Sequence, residues 1–209
     1  TLRTLFPYTT LFRSALDSPP QTFYDSPPPW GPTGTTLFPG GGGQQPARDP
    51  DRPVMCAFNL PAVVLTLGRD QWPLVSDYYL TLCRDKTDKV RQSLASSMHE
   101  VARIVGPQQA DEHLVGPFGW FLHDFDHIQG AVLENLASLV MAFGIDAGRQ
   151  VLETVAESWG SIKQWRRREA VAKQLAGLGG HFLVQGTPEE FLGVLVKAFK
   201  DPVASVRDN

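Results

Sequence analysis

Beyond residue 50, apolar positions recur at helical spacing, and the helices they define recur in turn. One stripe runs Val90, Leu94, Met98 and Val101, at steps of 4, 4 and 3, which keeps all four on one face of an α-helix. Moving forward 38 residues gives Ile128, Val132, Leu136 and Leu139, with the same steps and the same residue class. A further 39 gives Arg167, Val171, Leu175 and Leu178, and another 39 reaches Val206-Arg207. Moving back 38 from Leu94, Met98 and Val101 gives Cys56, Leu60 and Val63. A second column, Ala57, Ala95, Leu133 and Ala172, is mostly small, as close helix packing requires.

Second helical segments are predicted between these stripes, over about Asp70–Arg84, Ala110–Leu122, Asp146–Ser158 and Pro188–Lys200. The last has a marked start: Thr187 as N-cap, Pro188 at the first helical position and Glu190 placed to close a capping box. Each unit is therefore a helix hairpin. A hairpin cannot bury both its faces alone, so it stacks on its neighbours and the chain becomes a solenoid held by repeat-to-repeat interfaces. The expected fold class is all-α, with an array over residues 51–209 that is truncated at its C-terminus. Leu94, Leu136 and Leu175 are its predicted core.

Residues 1–50 break this pattern. Ser-Pro-Pro, Pro-Pro-Pro-Trp-Gly and the glycines Gly40 to Gly43 carry no apolar period, so a disordered segment is expected there. Its opening, Thr1 to Ser14, reads like a translated sequencing adapter and stands outside the fold.

Composition narrows the chemistry. With 19 basic and 22 acidic residues the net charge is −3, without the basic excess that phosphate neutralisation demands, so nucleic acid is not an expected partner. The longest apolar runs, such as Leu60 to Leu67 and Leu136 to Phe143, are far shorter than the roughly 20 residues that cross a bilayer. Cys56 and Cys83 sit in helical apolar patterns and read as buried thiols in a reducing, cytoplasmic or nuclear compartment.

The period resembles that of HEAT repeats. Asp85 with Arg91, and Asp201 with Arg207, match that family's Asp and Arg positions, whereas His123 with Gln129 and Ile162 with Arg168 do not, so an inter-repeat ladder of ion pairs is expected to be broken in the middle. The fold implied is an α-solenoid of stacked HEAT helix hairpins. Within that family, Cys56–Arg69, Asp77–Leu82, Lys89–Arg91, Leu94–Arg103 and Phe121–Asp126 resemble the regulatory subunits of protein phosphatase 4, which are similar to the scaffold subunit of protein phosphatase 2A. The likeness continues through Trp165–Arg168, while Pro53 departs from it by sitting where helix should continue. The resemblance implies a non-catalytic scaffold with no cofactor of its own, whose partner is a serine/threonine phosphatase catalytic subunit. It implies that the partner meets the turns near Asp85, Asp124 to Asp126, Trp165 to Arg168 and Asp201, with Trp165, Arg166, Arg168, Asp85, Asp124 and Asp126 as candidate contacts.

Two other readings compete. A HEAT adaptor of a transport or chromosome-organising complex would share the architecture. A helical metal-dependent hydrolase is suggested by His123-Asp124-Phe125-Asp126-His127 with His99, but the repeat phase puts residues 123 to 127 at a turn, where acidic residues cap the next helix.

Overall fold

The computed structural model describes residues 52–185 and 189–209, with the side chains of 183–185 excepted. The Pro/Gly-rich segment, Thr187 and Pro188 lie outside the described residues. Within them every regular element is helical: α1 Arg52–Leu67, α2 Ser76–Leu82, α3 Asp88–Val105, α4 Pro107–Leu122, α5 Asp126–Leu133, α6 Leu136–Ala142, α7 Ile145–Ser158, α8 Trp165–Gln185, α9 Glu189–Phe199 and α10 Ala204–Arg207, with 3-10 turns at Arg69–Leu74 and Trp159–Ser161. The contacts sort them into two layers. α1, α3, the α5–α6 pair, α8 and α10 stack in one, and α2, α4, α7 and α9 in the other.

The predicted apolar columns form the seam between layers. Val90, Leu94, Met98 and Val101 are fully buried, as are Ile128, Leu136, Val171 and Leu178. Leu175 is 3% exposed, and the small column Ala57, Ala95, Leu133 and Ala172 is buried throughout. Each such aliphatic side chain contributes about 1.5–3 kcal/mol by leaving water, so the columns supply most of the stacking energy. The extrapolation fails at α1, where Ala57, Leu60 and Val64 face inward, Val63 is exposed and Cys56 is half-buried. Among the described residues α1 packs in its layer against α3. Cys83 is buried, which pushes its thiol up to about 12 and leaves it unreactive at neutral pH.

Two predicted helices are interrupted. The segment expected over Asp70–Arg84 splits at Pro73, which has no N–H to continue a helix; a 3-10 turn seats the fully buried Trp72 and α2 follows. The helix expected through Ile128 to Leu139 breaks at Glu134–Asn135. There the Ala137 N–H donates to Gln174 Oε1 at 2.9 Å, and Gln174 Nε2 donates to the Leu133 carbonyl at 2.9 Å. The carboxamide of a residue on α8 thus takes the place of the Ala137-to-Leu133 helical bond. Pro53 interrupts nothing, because α1 begins at Arg52 and the first helical turn has no carbonyl behind it to bond.

The turns also reveal a glycine column that the apolar pattern did not flag. Gly68 and Gly106 end α1 and α3 with φ of 81° and 83°, a region that side chains with a Cβ avoid. Gly144, a further 38 residues on, has an ordinary φ; there the space is taken by Asp111, whose Oδ1 accepts the Gly144 N–H at 2.8 Å.

Candidate protein-binding ridge

Every turn that leads into α3, α5, α8 or α10 lies at the same edge of the stack. At each of three turns a cation six residues past the turn donates back to a turn carbonyl: Arg91 to Asp85 at 2.6 Å, Arg168 to Ile162 at 2.6 Å and Arg207 to Asp201 at 2.7 Å. Two of these arginines also reach forward by 33 residues into the next repeat. Arg91 donates from Nε and Nη2 to both oxygens of Asp124, at 2.6 and 3.0 Å, and Arg168 does the same to Asp201, at 2.6 and 3.2 Å.

The ladder is more complete than the sequence spacing implied. The acidic member of the second turn is Asp124 rather than His123: it follows Arg91 by the same 33 residues that separate Arg168 from Asp201, but stands five residues before Gln129 instead of six. Gln129 shows the slip directly: it fills the arginine position but reaches back seven residues, donating to the buried Leu122 carbonyl at 2.8 Å. Among the described positions followed by a further turn, Gln129 makes no forward rung, and there the charge order reverses. Arg167 of the following repeat reaches back towards Gln129 Oε1 at 3.5 Å and Asp126 at 3.9 Å, passing over Gly130, where a Cβ would lie 2.8 Å from its Nε.

The rungs are better shielded than surface ion pairs. Arg168 is 12% exposed and the Asp201 side chain fully buried. Asp201 also accepts the Trp159 indole N–H at 3.1 Å and the Val203 N–H at 3.0 Å. Burial alone would raise its carboxyl pKa, but Arg168, the Val203 N–H and the Trp159 indole outweigh it and hold it below the usual carboxylate range. Asp124 behaves likewise, with Arg91 and the Phe125 N–H opposing burial.

The candidate contacts therefore divide. Asp124 and Arg168 are internal struts, and Asp85 is half-buried, with Oδ1 accepting the Thr87 N–H at 2.7 Å. Asp126, with its side chain 59% exposed, Arg166 and half-buried Trp165 remain accessible on the ridge. The Arg166 guanidinium lies 4.8 Å over the Trp165 ring, and Trp165 opens α8. Beside them stands Phe125, 63% exposed and stacked on His127, which the sequence reading passed over. Its signal was an aromatic residue in a turn that needed none. Gln164 Nε2 to Asp126 Oδ2, at 3.5 Å, joins the second turn to the third, so Phe125, Asp126, Trp165 and Arg166 share one surface.

The histidines of this turn are separately engaged. His123 Nδ1 lies 2.8 Å from the Gly119 carbonyl and its Nε2 3.3 Å from the Ser158 hydroxyl, while His127 faces Asp88 at 3.4 Å. Among the described residues no three His, Cys, Asp or Glu side chains converge to hold a metal ion, and no helix is long and apolar enough to cross a membrane.

Comparison with known proteins agrees with this architecture. Residues 56–158 match the family described as the protein phosphatase 4 regulatory subunit 1 middle domain. Over 154 residues the chain is 35% identical to serine/threonine-protein phosphatase 4 regulatory subunit 1 of Homo sapiens, and equally so to those of Mus musculus and Rattus norvegicus. The alignment covers 73% of this chain and 16% of each relative, so the chain spans a small part of their length. These likenesses, carried by an all-helical repeat in which the turns, columns and ladder keep one register, place the chain in the protein phosphatase 4 regulatory subunit 1 family.

Proposed function

We propose that this chain is part of a non-catalytic scaffold that holds the catalytic subunit of a phosphatase 4 or 2A type serine/threonine phosphatase against its ridge of turns. The observation that carries the reading is the sorting of charge and aromatic groups along that ridge. The Arg–Asp rungs are turned inward and consumed by the stack, while Phe125, Trp165, Arg166 and Asp126 are left at the surface. Aromatic residues and arginine dominate binding energy at protein interfaces, and a row of turns on a rigid stack suits a broad, shallow partner. The family relationship supports a phosphatase as that partner, since the relatives are named as regulatory subunits of one.

The test replaces Arg166 with Glu and, separately, Trp165 with Ala in the full-length protein, and measures the co-purified phosphatase catalytic subunit. Arg168 is left alone because it is a strut. Recovery falling by about tenfold or more with unchanged helicity supports the reading, as loss of a central contact does. Undiminished recovery in both variants moves the binding surface elsewhere, and recovery of a different assembly without any catalytic subunit replaces the reading with that of an adaptor.

A further inference from the structure

Three arginines of the ridge are equally shielded but not equally bonded. The side chains of Arg91 and Arg168 are 13% and 12% exposed, and each has both oxygens of a carboxylate and a turn carbonyl within 3.2 Å. Arg167 is 15% exposed, yet the acceptors it reaches are Gln129 Oε1 at 3.5 Å and Asp126 Oδ1 at 3.9 Å. Taking a guanidinium out of water is unfavourable unless its five N–H groups are bonded in exchange. For Arg167 the water is largely gone and its replacement is poor.

Two features of the sequence put Arg167 in that position. α8 opens Trp165-Arg166-Arg167-Arg168 with no acidic residue in its first turn, the reverse of the usual order, since the N-terminal end of a helix already carries partial positive charge. Asp201 neutralises Arg168 at short range, and among the described residues no carboxylate lies so close to Arg167. Gly130 is the second feature. A Cβ there would lie 2.8 Å from the Arg167 Nε, so it is the missing side chain that lets the guanidinium cross α5.

The guanidinium forms part of the wall of a groove of about 400 Å³ between α3, α5 and α8, whose polar lining is Gln92, His127, Glu134, Gln164, Arg166 and Arg167. Two arginines and two carboxamides there face a single lining carboxylate, Glu134, which sits at the C-cap of α5 one turn beyond Gly130. The groove crosses two helix spacings of about 8–10 Å each, a distance spanned by about five or six residues of extended chain.

We infer that this groove seats an acidic segment of a protein partner in extended form, with an Asp or Glu carboxylate of that segment paired to the Arg167 guanidinium. The inference rests on the reading of the ridge as a protein-binding surface and supplies the chemistry of one contact. A carboxylate taken bidentately, at about 2.7–2.9 Å, completes the donors that Gln129 and Asp126 reach only at long range, and the positive end of α8 favours the same sign. Glu134 and Asp126 oppose a doubly charged phosphoryl group more strongly than a carboxylate, and the net charge of −3 opposes a polyphosphate backbone.

Fluorescence polarisation tests this on the full chain with a labelled Gly-Ser peptide carrying a central run of glutamates. The same peptide with one phosphoserine in place of the run, and a single-stranded oligonucleotide, are measured beside it. The glutamate peptide is expected to bind saturably, and Arg167→Gln to weaken it at least about tenfold. Gly130→Ala keeps every charge but displaces the guanidinium, and is expected to weaken binding as well. Lys197→Gln removes an exposed cation from α9, in the other layer, and is expected to leave binding unchanged. Arg167→Gln should keep the parent's thermal midpoint, because the bonds it loses are long. Absence of saturable binding by the glutamate peptide overturns the inference, as does an equal loss in Lys197→Gln. Tighter binding of the phosphoserine peptide or the oligonucleotide also overturns it, by assigning a different anion. A thermal midpoint that falls in Arg167→Gln while peptide affinity is unmoved makes Arg167 a strut like Arg168 and overturns it too. The assay contains no phosphatase, so its failure is distinct from failure of the co-purification test on Trp165 and Arg166.

Discussion

Asp201→Ala removes one partner of the most shielded rung and leaves the other in place. Arg168, 12% exposed, would keep only the Ile162 carbonyl at 2.6 Å and the Lys163 carbonyl at 3.4 Å, and the Trp159 indole N–H would lose its acceptor. Stranding a buried guanidinium in this way costs about 3–5 kcal/mol. For a chain of this size that lowers the thermal midpoint by roughly 6–20 °C. Asp126→Ala is the control, because its pair with Arg167 is long, at 3.9 Å, and its side chain 59% exposed; that change costs about 0–1 kcal/mol. Urea unfolding followed by circular dichroism measures both. Replacing the whole rung, Arg168→Met with Asp201→Leu, is expected to cost less than Asp201→Ala, because no charge is left alone. If Asp201→Ala proved as mild as Asp126→Ala, the inward rung would not be a strut, and the division of ridge residues into internal and accessible would be wrong.

Leu136→Ala empties a fully buried position on the central column and is expected to cost about 2–5 kcal/mol by the same unfolding measurement. Two glycine substitutions should move stability in opposite directions: Gly106→Ala, at φ 83°, loses about 1–2 kcal/mol, whereas Gly177→Ala, inside α8 with open space around its Cβ, gains about 0.5–1 kcal/mol. Asp124 and Asp201 both have folded pKa values below the unfolded value of about 3.9, so the stability they supply is complete above that pH and is lost as pH falls through the lower folded values. An acid titration of unfolding free energy should show this slope, and Asp201→Asn should flatten it.

Much of the fold could be read from residues that repeat, and what could not be read depends on residues that meet across repeats. Leu94, Leu136 and Leu175 were visible because each faces the seam in its own helix, whatever its neighbours do. Val63 misled because α1 turns Ala57, Leu60 and Val64 inward, a face slightly rotated from the column carried back by a fixed period. The ladder was half legible. Asp201 and Arg207 have the expected spacing, but the rung joins Asp201 to Arg168, and Asp124 pairs with Arg91 at the same offset of 33, a link across repeats that a search for pairs six apart within one turn does not find. Phe125 escaped for the opposite reason, since it repeats nothing and packs on no core.

The Gln174 carboxamide lodged between Leu133 and Ala137 makes the bend in one repeat a property of the next. Additive descriptions of solenoids treat each unit as carrying its own conformation and adding only an interface energy. Here the backbone angle between α5 and α6 is written by an amide on α8, 37 residues later in the chain. A repeat moved elsewhere, or placed before a successor lacking this glutamine, would keep its apolar columns yet be free to straighten. The path of the array past this point is thus encoded in pairs of units, so that shuffling intact repeats would change where the ridge points even when every core residue is kept.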